Sequence, residues 1–512
     1  MRSNWVQTVR LEPPSLNDNT ADTERLLSSL KTRLNSDHIH IDISLQRTLP
    51  DILRQHHYHV SCVLFKDRNR WLLAGVAGAE KNDPMAGLAV DLGTTSVAVR
   101  LIDLVSGDVM GEYSFDNPQI DVGPDILTRI HYADQKGGLE HLNRQIIDGL
   151  NQAISILCRK CDIRPIHIYL SAVAGNTAMT HLFLKLSPRW IIREPYIPVV
   201  NYPGAISAED LGMNINQHAK VFMFPNVGSY FGGDLIAGIL FSGLARKEET
   251  AILVDVGTNA EVVLGNNKWL IACAGAAGPA LEGGVTKMGM MAGPGVIDSI
   301  VISGPDKRFD IHTIDDQPPK GICGSGLIDL ASQLFLHGII DIRGKFKVSD
   351  GISRIKFKNK DDMMHLIVVP ADESATGEDL TISQADIDSL ARSKAAMYTI
   401  LETITTSVGI DMRQISDFFV AGTFGVFIKP KSAVSIGMMP DLPSENFKPL
   451  GNSSLGGATM ILQSQECADQ ISDIRDKITY MELNVNQEFM NRFSAAKFFP
   501  HTDRSLFPSV KI

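Results

Sequence analysis

The sequence predicts an α/β protein of two related lobes, with a small α/β segment ahead of them. Two observations carry this expectation. The stretch LAVDLGTTSVAVRLID (Leu88–Asp103) is an apolar strand that runs into Asp91, turns at Gly93 with Thr94 and Thr95, and leaves as a second alternating strand. The same form returns 164 residues later, Asp91 to Asp255, as ILVDVGTNAEVVLG (Ile252–Gly265). Each hairpin has the residues of a turn that holds phosphate. Glycine accepts φ > 0 and lets the backbone approach closely. Turn amides and threonine hydroxyls donate to phosphate oxygens, and a strand-end aspartate can hold a magnesium ion, usually through water. One strand–Asp–Gly turn is mostly just a turn; a matched pair is a stronger sign.

Length and composition set the frame. A chain of 512 residues has room for about three domains with real cores. Hydrophobic content of 44% and charged content of 21% are ordinary for a globular protein. A net charge of −10 argues against a nucleic-acid partner. The apolar runs are too short to span a bilayer, so no membrane partner is expected. The opening MRSNWVQTVRLEPPSLND has no apolar signal region, which makes the cytoplasm the expected location. Six cysteines do not make a disulfide framework in a chain of this length. Cys62, Cys273, Cys323 and Cys467 stand alone. Cys158 and Cys161 form a CxxC near a helix end, either two reduced thiols or half a ligand set completed across a dimer axis. No ferredoxin-type cysteine run exists, so no iron–sulfur cluster is expected in this chain.

Residues 1–85 read as the small α/β segment. After the Pro-Pro turn, Thr20 or Asp22 caps a helix with apolar spacing at Leu26, Leu27, Leu30 and Leu34. His38–Leu45, His59–Phe65 and Trp71–Gly78 read as strands. His56, His57 and His59 lack an evident fourth ligand and read as a polar strand edge, and Lys81-Asn-Asp-Pro is a short linker. In the first lobe, 86–247, the hairpin is followed by a third strand (Gly111–Phe115), two helical stretches and a buried strand, Ile166–Val173. Gly175-Asn176-Thr177 sits at a strand-to-helix turn, placed either beside a bound anion or simply as a cap. Gly232-Gly233-Asp234 opens an apolar helix, with Asp234 as N-cap or as a carboxylate facing the cleft.

The second lobe, 248–512, opens on the repeated hairpin. Asp255, Gly257, Thr258 and Asn259 mirror Asp91, Gly93, Thr94 and Thr95, and Glu261 follows where a carboxylate can orient a water. The Gly/Ala-rich run 274–297 permits close approach to a ligand or a tight packing seam. GICGSGLIDLASQLF is a glycine turn opening a helix, and 341–380 is a charged surface insertion. Ser383 with Asp386 resembles a capping box ahead of a helix with a 3.6 period from Ile387 to Val408. That helix delivers the chain to a strand and the turn Gly422-Thr423-Phe424-Gly425, over which a nucleotide base can sit because the glycines leave the space open. The tail reads as helix, helix, strand, helix and completes the second lobe.

In this order, two Asp-Gly-Thr hairpins, a GN turn and a late VAG-x-FG turn resemble the actin, sugar-kinase and Hsp70-like ATPase superfamily. VDVGTNAEVVLG, AAGPALEGG, GICGSGLIDL and AGTFG together resemble the C-terminal domain of reductive activators of corrinoid proteins. GLAVDLGTTSVAVRLID resembles that family's middle domain and PPSLNDNTADTERLL its linker. The resemblance spans nearly the whole chain and leaves out the family's iron–sulfur ferredoxin domain. It implies two ribonuclease-H-like lobes of the actin/Hsp70 ATPase fold behind a small α/β linker domain, with ATP in a cleft between the lobes. It further implies ATP-dependent reduction of the corrinoid protein of a methyltransferase system, cob(II)alamin to cob(I)alamin. Members pass the electron through their own cluster, so this chain is expected to be the ATPase and docking core, a homodimer served by a separate ferredoxin-like electron donor. No cobalamin site of its own is expected: the nearest D-x-H-x-x-G run, from Asp310 through His312, ends in Asp315.

By the same resemblance, Asp91 and Asp255 would hold Mg²⁺ and order the attacking water. Gly93, Thr94, Thr95, Gly257, Thr258 and Asn259 would bind the β- and γ-phosphates. Gly175 and Asn176 would lie at the interlobe connection, Gly422, Thr423 and Gly425 would flank adenosine, and Glu261 or Asp234 would orient water. Three alternatives share the fold. A small-molecule kinase would need a carboxylate base that SAVAGN does not supply. A nucleotide-dependent chaperone would keep the cleft with little chemistry. A dimeric ATPase resembling the activators of 2-hydroxyacyl-CoA dehydratases would have only Cys158 and Cys161 for its shared cluster.

Overall fold

The computed structural model describes residues 5–511 apart from 81–82, 257–258, 277–285, 305–307, 348–356, 361–362 and 484–486. The chain divides into two compact units: Met1–Phe241 with Ser453–Lys477, and Ser242–Asn452 with Ile478–Ile512. Each is centred on a six-stranded sheet, and the two sheets follow one plan.

In the first unit the hairpin strands β1 (Ala86–Leu92) and β2 (Ser96–Asp103) precede β3 (Val109–Asp116), β4 (Ile168–Gly175) and β5 (Lys220–Met223). Their spatial order is β3-β2-β1-β4-β5, with Gly204–Ser207 on the far edge. In the second unit β6 (Ala251–Val256), β7 (Asn259–Gly265), β8 (Leu270–Ala276), β9 (Phe418–Ala421) and β10 (Phe447–Gly451) stand in the order β8-β7-β6-β9-β10, and Ile478–Tyr480 pairs with β8. The first two strands of each set pair antiparallel, and the fourth lies parallel beside the first. The register repeats as well. Asp91 stands opposite Ala98 and Ala174, and Asp255 opposite Glu261 and Ala421.

The strand sequences explain their places. β1 is a nearly unbroken apolar run, buried at Leu88, Ala89, Val90 and Leu92, as a central strand covered on both faces requires. β3 alternates between half-buried and exposed residues. The helix Gly138–Lys160 buries Leu142, Ile146, Leu150, Ile154 and Leu157, a single apolar stripe, in the core of the first sheet. In the second unit Gln384–Ser407 does the same with Ile387, Leu390, Leu401 and Ile404. The capping box that starts it is made in both directions: Asp386 N–H donates to Ser383 Oγ at 3.2 Å, and Ser383 N–H to Asp386 Oδ2 at 2.8 Å. From the charged insertion, Phe357–Lys360, Met363–Val369 and Leu380–Ser383 form a three-stranded sheet.

The N-terminal segment folds as a four-stranded sheet (Val6–Arg10, His59–Asp67, Arg70–Gly78 and Ile39–His40) with helices Asp22–Leu34 and Ile43–Gln55. Two local expectations are corrected here. Neither Thr20 nor Asp22 is the cap: Ala21 precedes the helix, Asp22 is inside it, and Thr20 turns back to Asp18 through its N–H (3.1 Å) and hydroxyl (2.7 Å). Of His38–Leu45 only Ile39–His40 is a strand. The chain becomes helical at Ile43, because Leu45, Leu49 and Leu53 recur at the spacing of one helix face and are buried together.

The tail's elements come in the expected order, but its two helices, Ser453–Gln463 and Gln465–Lys477, fall in the first unit. Ser453–Gln463 packs on β1, β2 and β4. Its glycines permit this. A Cβ on Gly457 would fall 2.2 Å from Ala237 O, and one on Gly456 would fall 2.6 Å from the Phe241 ring, so the helix backbone lies directly on Gly233–Ser242. The N-terminal segment fastens to the same helices through Trp5 Nε1–H to Ile461 O (2.9 Å) and the Lys66–Asp469 ion pair (2.9 Å). On an exposed helix, Gly→Ala stabilises by up to about 1 kcal/mol. Gly457→Ala is predicted to reverse that sign and cost about 1–3 kcal/mol, because the methyl meets backbone. Urea unfolding of the two proteins measures it, and a stabilised variant would refute the packing.

Candidate active site

Asp91 and Asp255 both lie near the carboxyl ends of central strands, where open α/β sheets take their ligands. In the first lobe Gly93 is dictated by space, since a Cβ there would fall 2.3 Å from Ser96 O. Three successive carbonyls of the turn are held from behind. Asn117 Nδ2–H donates to Gly93 O (2.8 Å), Arg129 Nη2–H to Thr94 O (2.7 Å) and Asn117 N–H to Thr95 O (2.8 Å). A trans peptide sets its N–H opposite its C=O. The Thr94 and Thr95 amides therefore point away from that buried side, as donors that receive an anion must.

The other predicted first-lobe residues gather around this turn. Asn176 Nδ2–H donates to Thr94 Oγ1 at 3.0 Å, while Asn176 Oδ1 accepts from Met179 N–H at 2.9 Å and caps the helix Thr177–Phe183. The cap is thus real, and the same side chain also ties the GN turn to the hairpin. Gly175 ends β4 opposite Leu92, and a Cβ on it would fall 3.0 Å from Leu92 O. A Cβ on Gly232 would fall 2.3 Å from Asn176 Cα and 2.5 Å from Asp234 Oδ1, so the Gly232-Gly233-Asp234 turn lies directly against Asn176. Asp234 sits inside the first turn of its helix, with Oδ1 accepting from Leu235 N–H at 2.9 Å.

In the second lobe Asp255 ends β6 with Glu261 directly opposite on β7. Like charges placed opposite each other across a sheet repel, an arrangement that a bound cation favours. The first lobe has Ala98 at the corresponding place. Gly422 follows β9 with φ +85°, and a Cβ there would fall 3.1 Å from Val256 O and 3.2 Å from Asp255 Oδ1, so glycine alone lets the chain pass the aspartate. A Cβ on Gly425 would meet Val420 O at 2.7 Å. Gly257 and Thr258 lie outside the described residues, as do the side chains of Asn259 and Thr423; the Asn259 backbone pairs with Ala276.

Two features were missed in the sequence. Val173-Ala-Gly175-Asn176 and Val420-Ala-Gly422-Thr423 end the fourth strand of each lobe, so V-A-G-polar is a second repeat, readable from the letters alone. Asn117, Gln119 and Arg129, all buried behind the first turn, have no such signal, because their partners are distant in sequence.

Cys158 is 2% exposed and faces the first core, and burial pushes its thiol up to about 11. Cys161 is half-buried, with its thiol also raised by burial, and its Sγ lies 3.5 Å from Met110 O. A metal ligand must be a thiolate; these two are placed as core thiols. His59 Nδ1 meets Glu80 at 3.4 Å and Arg10 at 3.2 Å. Among the described residues no group of three or more His, Cys, Asp or Glu is placed to hold a metal, and no helix is long and apolar enough to cross a membrane.

Comparison with known proteins gives the family. Residues 249–511 match the C-terminal domain of RACo, the ASKHA domain, residues 86–247 the RACo middle region and residues 4–83 the RACo linker region. The chain belongs to the RACo family of reductive activators of corrinoid proteins. Its sheets are accordingly the two ribonuclease-H-like lobes of the actin/Hsp70 ATPase fold, behind a small α/β linker domain. The corrinoid activation enzyme RamQ of Eubacterium limosum is 31% identical over 427 residues, 82% of this chain and 71% of that protein. A Co(II) methylated amine-specific corrinoid protein reductase of Methanosarcina barkeri is 23% identical over 456 residues, 80% of this chain and 76% of its own length. The solved structure of a reductive activator for corrinoid, iron-sulfur protein matches with a TM-score of 0.87 at 37% identity, over 99% of this chain and 81% of that one.

The helix behind the GN turn carries a titratable lock. Buried His181 donates from Nδ1 to Thr177 O (2.7 Å) and accepts at Nε2 from Val199 N–H (3.0 Å), which requires a neutral ring, and burial pulls its pKa below the ordinary histidine value. Stability from a neutral buried histidine is present above the unfolded value near ~6.5 and is lost as pH falls. The urea midpoint is predicted to drop between pH 7 and pH 5, with a shallower drop in His181→Gln; equal slopes would remove His181 as a source.

Proposed function

We propose that this chain is the ATPase and docking core of an activator that reduces the corrinoid protein of a methyltransferase system from cob(II)alamin to cob(I)alamin. The observation that carries this is an aspartate near the carboxyl end of the first strand, set at one topological place in both lobes of a RACo-family chain. The names of the two relatives, a corrinoid activation enzyme and a corrinoid protein reductase, support the substrate class.

The donors present fit Mg·ATP. They are amides and hydroxyls at the first turn, carboxylates at both strand ends, and glycines where a side chain would collide with the turn or with Asp255. When bound, Mg²⁺ would neutralise charge on the β- and γ-phosphates. Asp91 and Asp255 are the proposed cation holders. Gly93, Thr94, Thr95, Gly257, Thr258 and Asn259 are the proposed phosphate donors, with Gly175 and Asn176 bracing the first turn. Gly422, Thr423 and Gly425 are proposed to flank adenosine. Glu261, which stands opposite Asp255, or Asp234 is proposed to orient the attacking water.

ATP would assist an uphill electron transfer by making the chain bind one cobalt state better than the other, and each tenfold preference supplies about 1.4 kcal/mol. In this reading the electron comes from a separate ferredoxin-like donor and the active species is a cytoplasmic homodimer.

The test is anaerobic: the chain, ATP, a cob(II)alamin-loaded corrinoid protein and a low-potential reductant, followed by cobalt absorption. Cob(I) is expected only in the complete mixture, and equal formation without ATP or without this chain would end the reading. Asp255→Ala is predicted to abolish hydrolysis while the fold persists by circular dichroism. Glu261→Gln is predicted to slow hydrolysis by roughly 10²–10⁴ with ATP still bound; unchanged turnover would return the role to Asp234.

A further inference from the structure

Arg129, on the helix Ile126–Ala133, is 0% exposed, and the acceptors it meets are neutral. Nε–H donates to Gly123 O at 2.8 Å, Nη1–H to Gln119 Oε1 at 3.2 Å and toward Met179 Sδ at 3.4 Å, and Nη2–H to Thr94 O at 2.7 Å. The nearby acid, Asp125, is engaged elsewhere, accepting from Thr128 N–H (2.9 Å) and Thr128 Oγ1–H (2.7 Å) to cap the same helix. Among the described residues no carboxylate forms an ion pair with Arg129. Each guanidinium nitrogen has an acceptor, but the charge is offset only in part, by the field of Asp125, which is outweighed by the cost of burial.

A guanidinium taken out of water without an anion costs several kcal/mol, and burial draws its pKa down to about 10. A fold that retains such a group has its counter-charge close by. The peptide that Arg129 holds shows where. Arg129 binds its carbonyl end, Thr94 O, while the Thr95 amide at the other end points to the opposite side of the turn. Polarising a peptide at its carbonyl strengthens its N–H as a donor. Met179 Sδ meets both Arg129 (3.4 Å) and Asn117 Nδ2 (3.9 Å), so the supports of all three turn carbonyls form one cluster, and Asn176 caps Met179's helix.

We infer that Arg129 is a positioning residue that supplies the positive charge behind the Gly93–Thr95 turn, and that its counter-ion is the phosphate chain of a nucleotide bound on the turn's other side. This rests on the reading of that turn as a nucleotide site. It makes the first lobe selective for phosphorylated nucleotides over nucleosides.

The experiment measures ATP and adenosine binding by calorimetry with the full chain, as wild type, Arg129→Met and Arg129→Lys. Arg129→Met is expected to weaken ATP roughly tenfold to hundredfold, the effect of one charge in a partly screened site, with adenosine within about twofold of wild type. Arg129→Lys is expected to recover part of the ATP affinity. Without nucleotide, Arg129→Met is expected to melt no lower than wild type, because a charge offset only in part has been removed. A variant that loses ATP and adenosine alike, or keeps its ATP affinity, overturns the inference. Should Arg129→Met not fold, Arg129→Lys decides: ATP weakened with adenosine intact supports the role, and equal losses overturn it. Wild-type protein that binds adenosine but no ATP would overturn the phosphate reading of the turn and the inference with it.

Discussion

The close passage of the fourth strand over the end of the first is the contact on which the rest of each lobe depends. A Cβ on Gly175 would fall 2.9 Å from Leu92 Cβ and 3.0 Å from Leu92 O, and one on Gly422 would fall 3.1 Å from Val256 O on a backbone at φ +85°, so glycine suits both crossings. Because the chain can pass there, the two strands lie parallel with each aspartate opposite an alanine. The helix that follows then starts beside the aspartate. A side chain at either glycine would push the helix start off the strand end and separate the groups that the register brings together.

What surrounds the two contacts differs, and the difference is chemical. The first lobe braces its turn with Asn117, Asn176 and Arg129, all donors, so that turn is electrically positive on its buried side. The second lobe sets Glu261 across from Asp255, where the first has Ala98. Under the proposed reading both lobes offer phosphate donors and a cation-holding aspartate, but the first adds a braced, positively backed turn and the second a further carboxylate. Duplicated sheets would supply the geometry twice, with the distinction left to a few side chains.

These two levels were not equally legible in the sequence. The hairpins could be read because strand alternation, a terminal aspartate and a turn glycine are local and lie within a dozen residues. The capping box at Ser383 and Asp386 could be read for the same reason. Arg129 could not: within PDILTRIHYAD it looks like a surface arginine, and its place behind the turn depends on Thr94, 35 residues away, as well as on the nearby Gly123 and Gln119. The tail helices were legible as helices but not as members of the first unit, since Gly456-Gly457 announces a close crossing without naming Ala237 and Phe241 as the other side. His38–Leu45 failed differently, and only past Ile39–His40. Its alternation fits a strand, but Leu45, Leu49 and Leu53 form a buried stripe that only a helix can make.

The tail helices also tie the N-terminal segment to the first unit. The chain leaves helix Gln465–Lys477 and enters strand Ile478–Tyr480 with no residue between, so one element of the first unit continues directly into the sheet of the second. That helix is tied to the N-terminal segment by Lys66–Asp469, and Arg475 lies 5.5 Å from the ring of Tyr202, on which Arg68 also stacks at 4.2 Å. Tyr202 in turn donates to Asp67 at 2.8 Å. Cation–π and ion-pair contacts of this kind are worth about 1 kcal/mol each. Several in series make the N-terminal segment move with the helix. Lys477 and Ile478 are consecutive, so the helix that carries these contacts is joined to strand Ile478–Tyr480 by a single peptide bond.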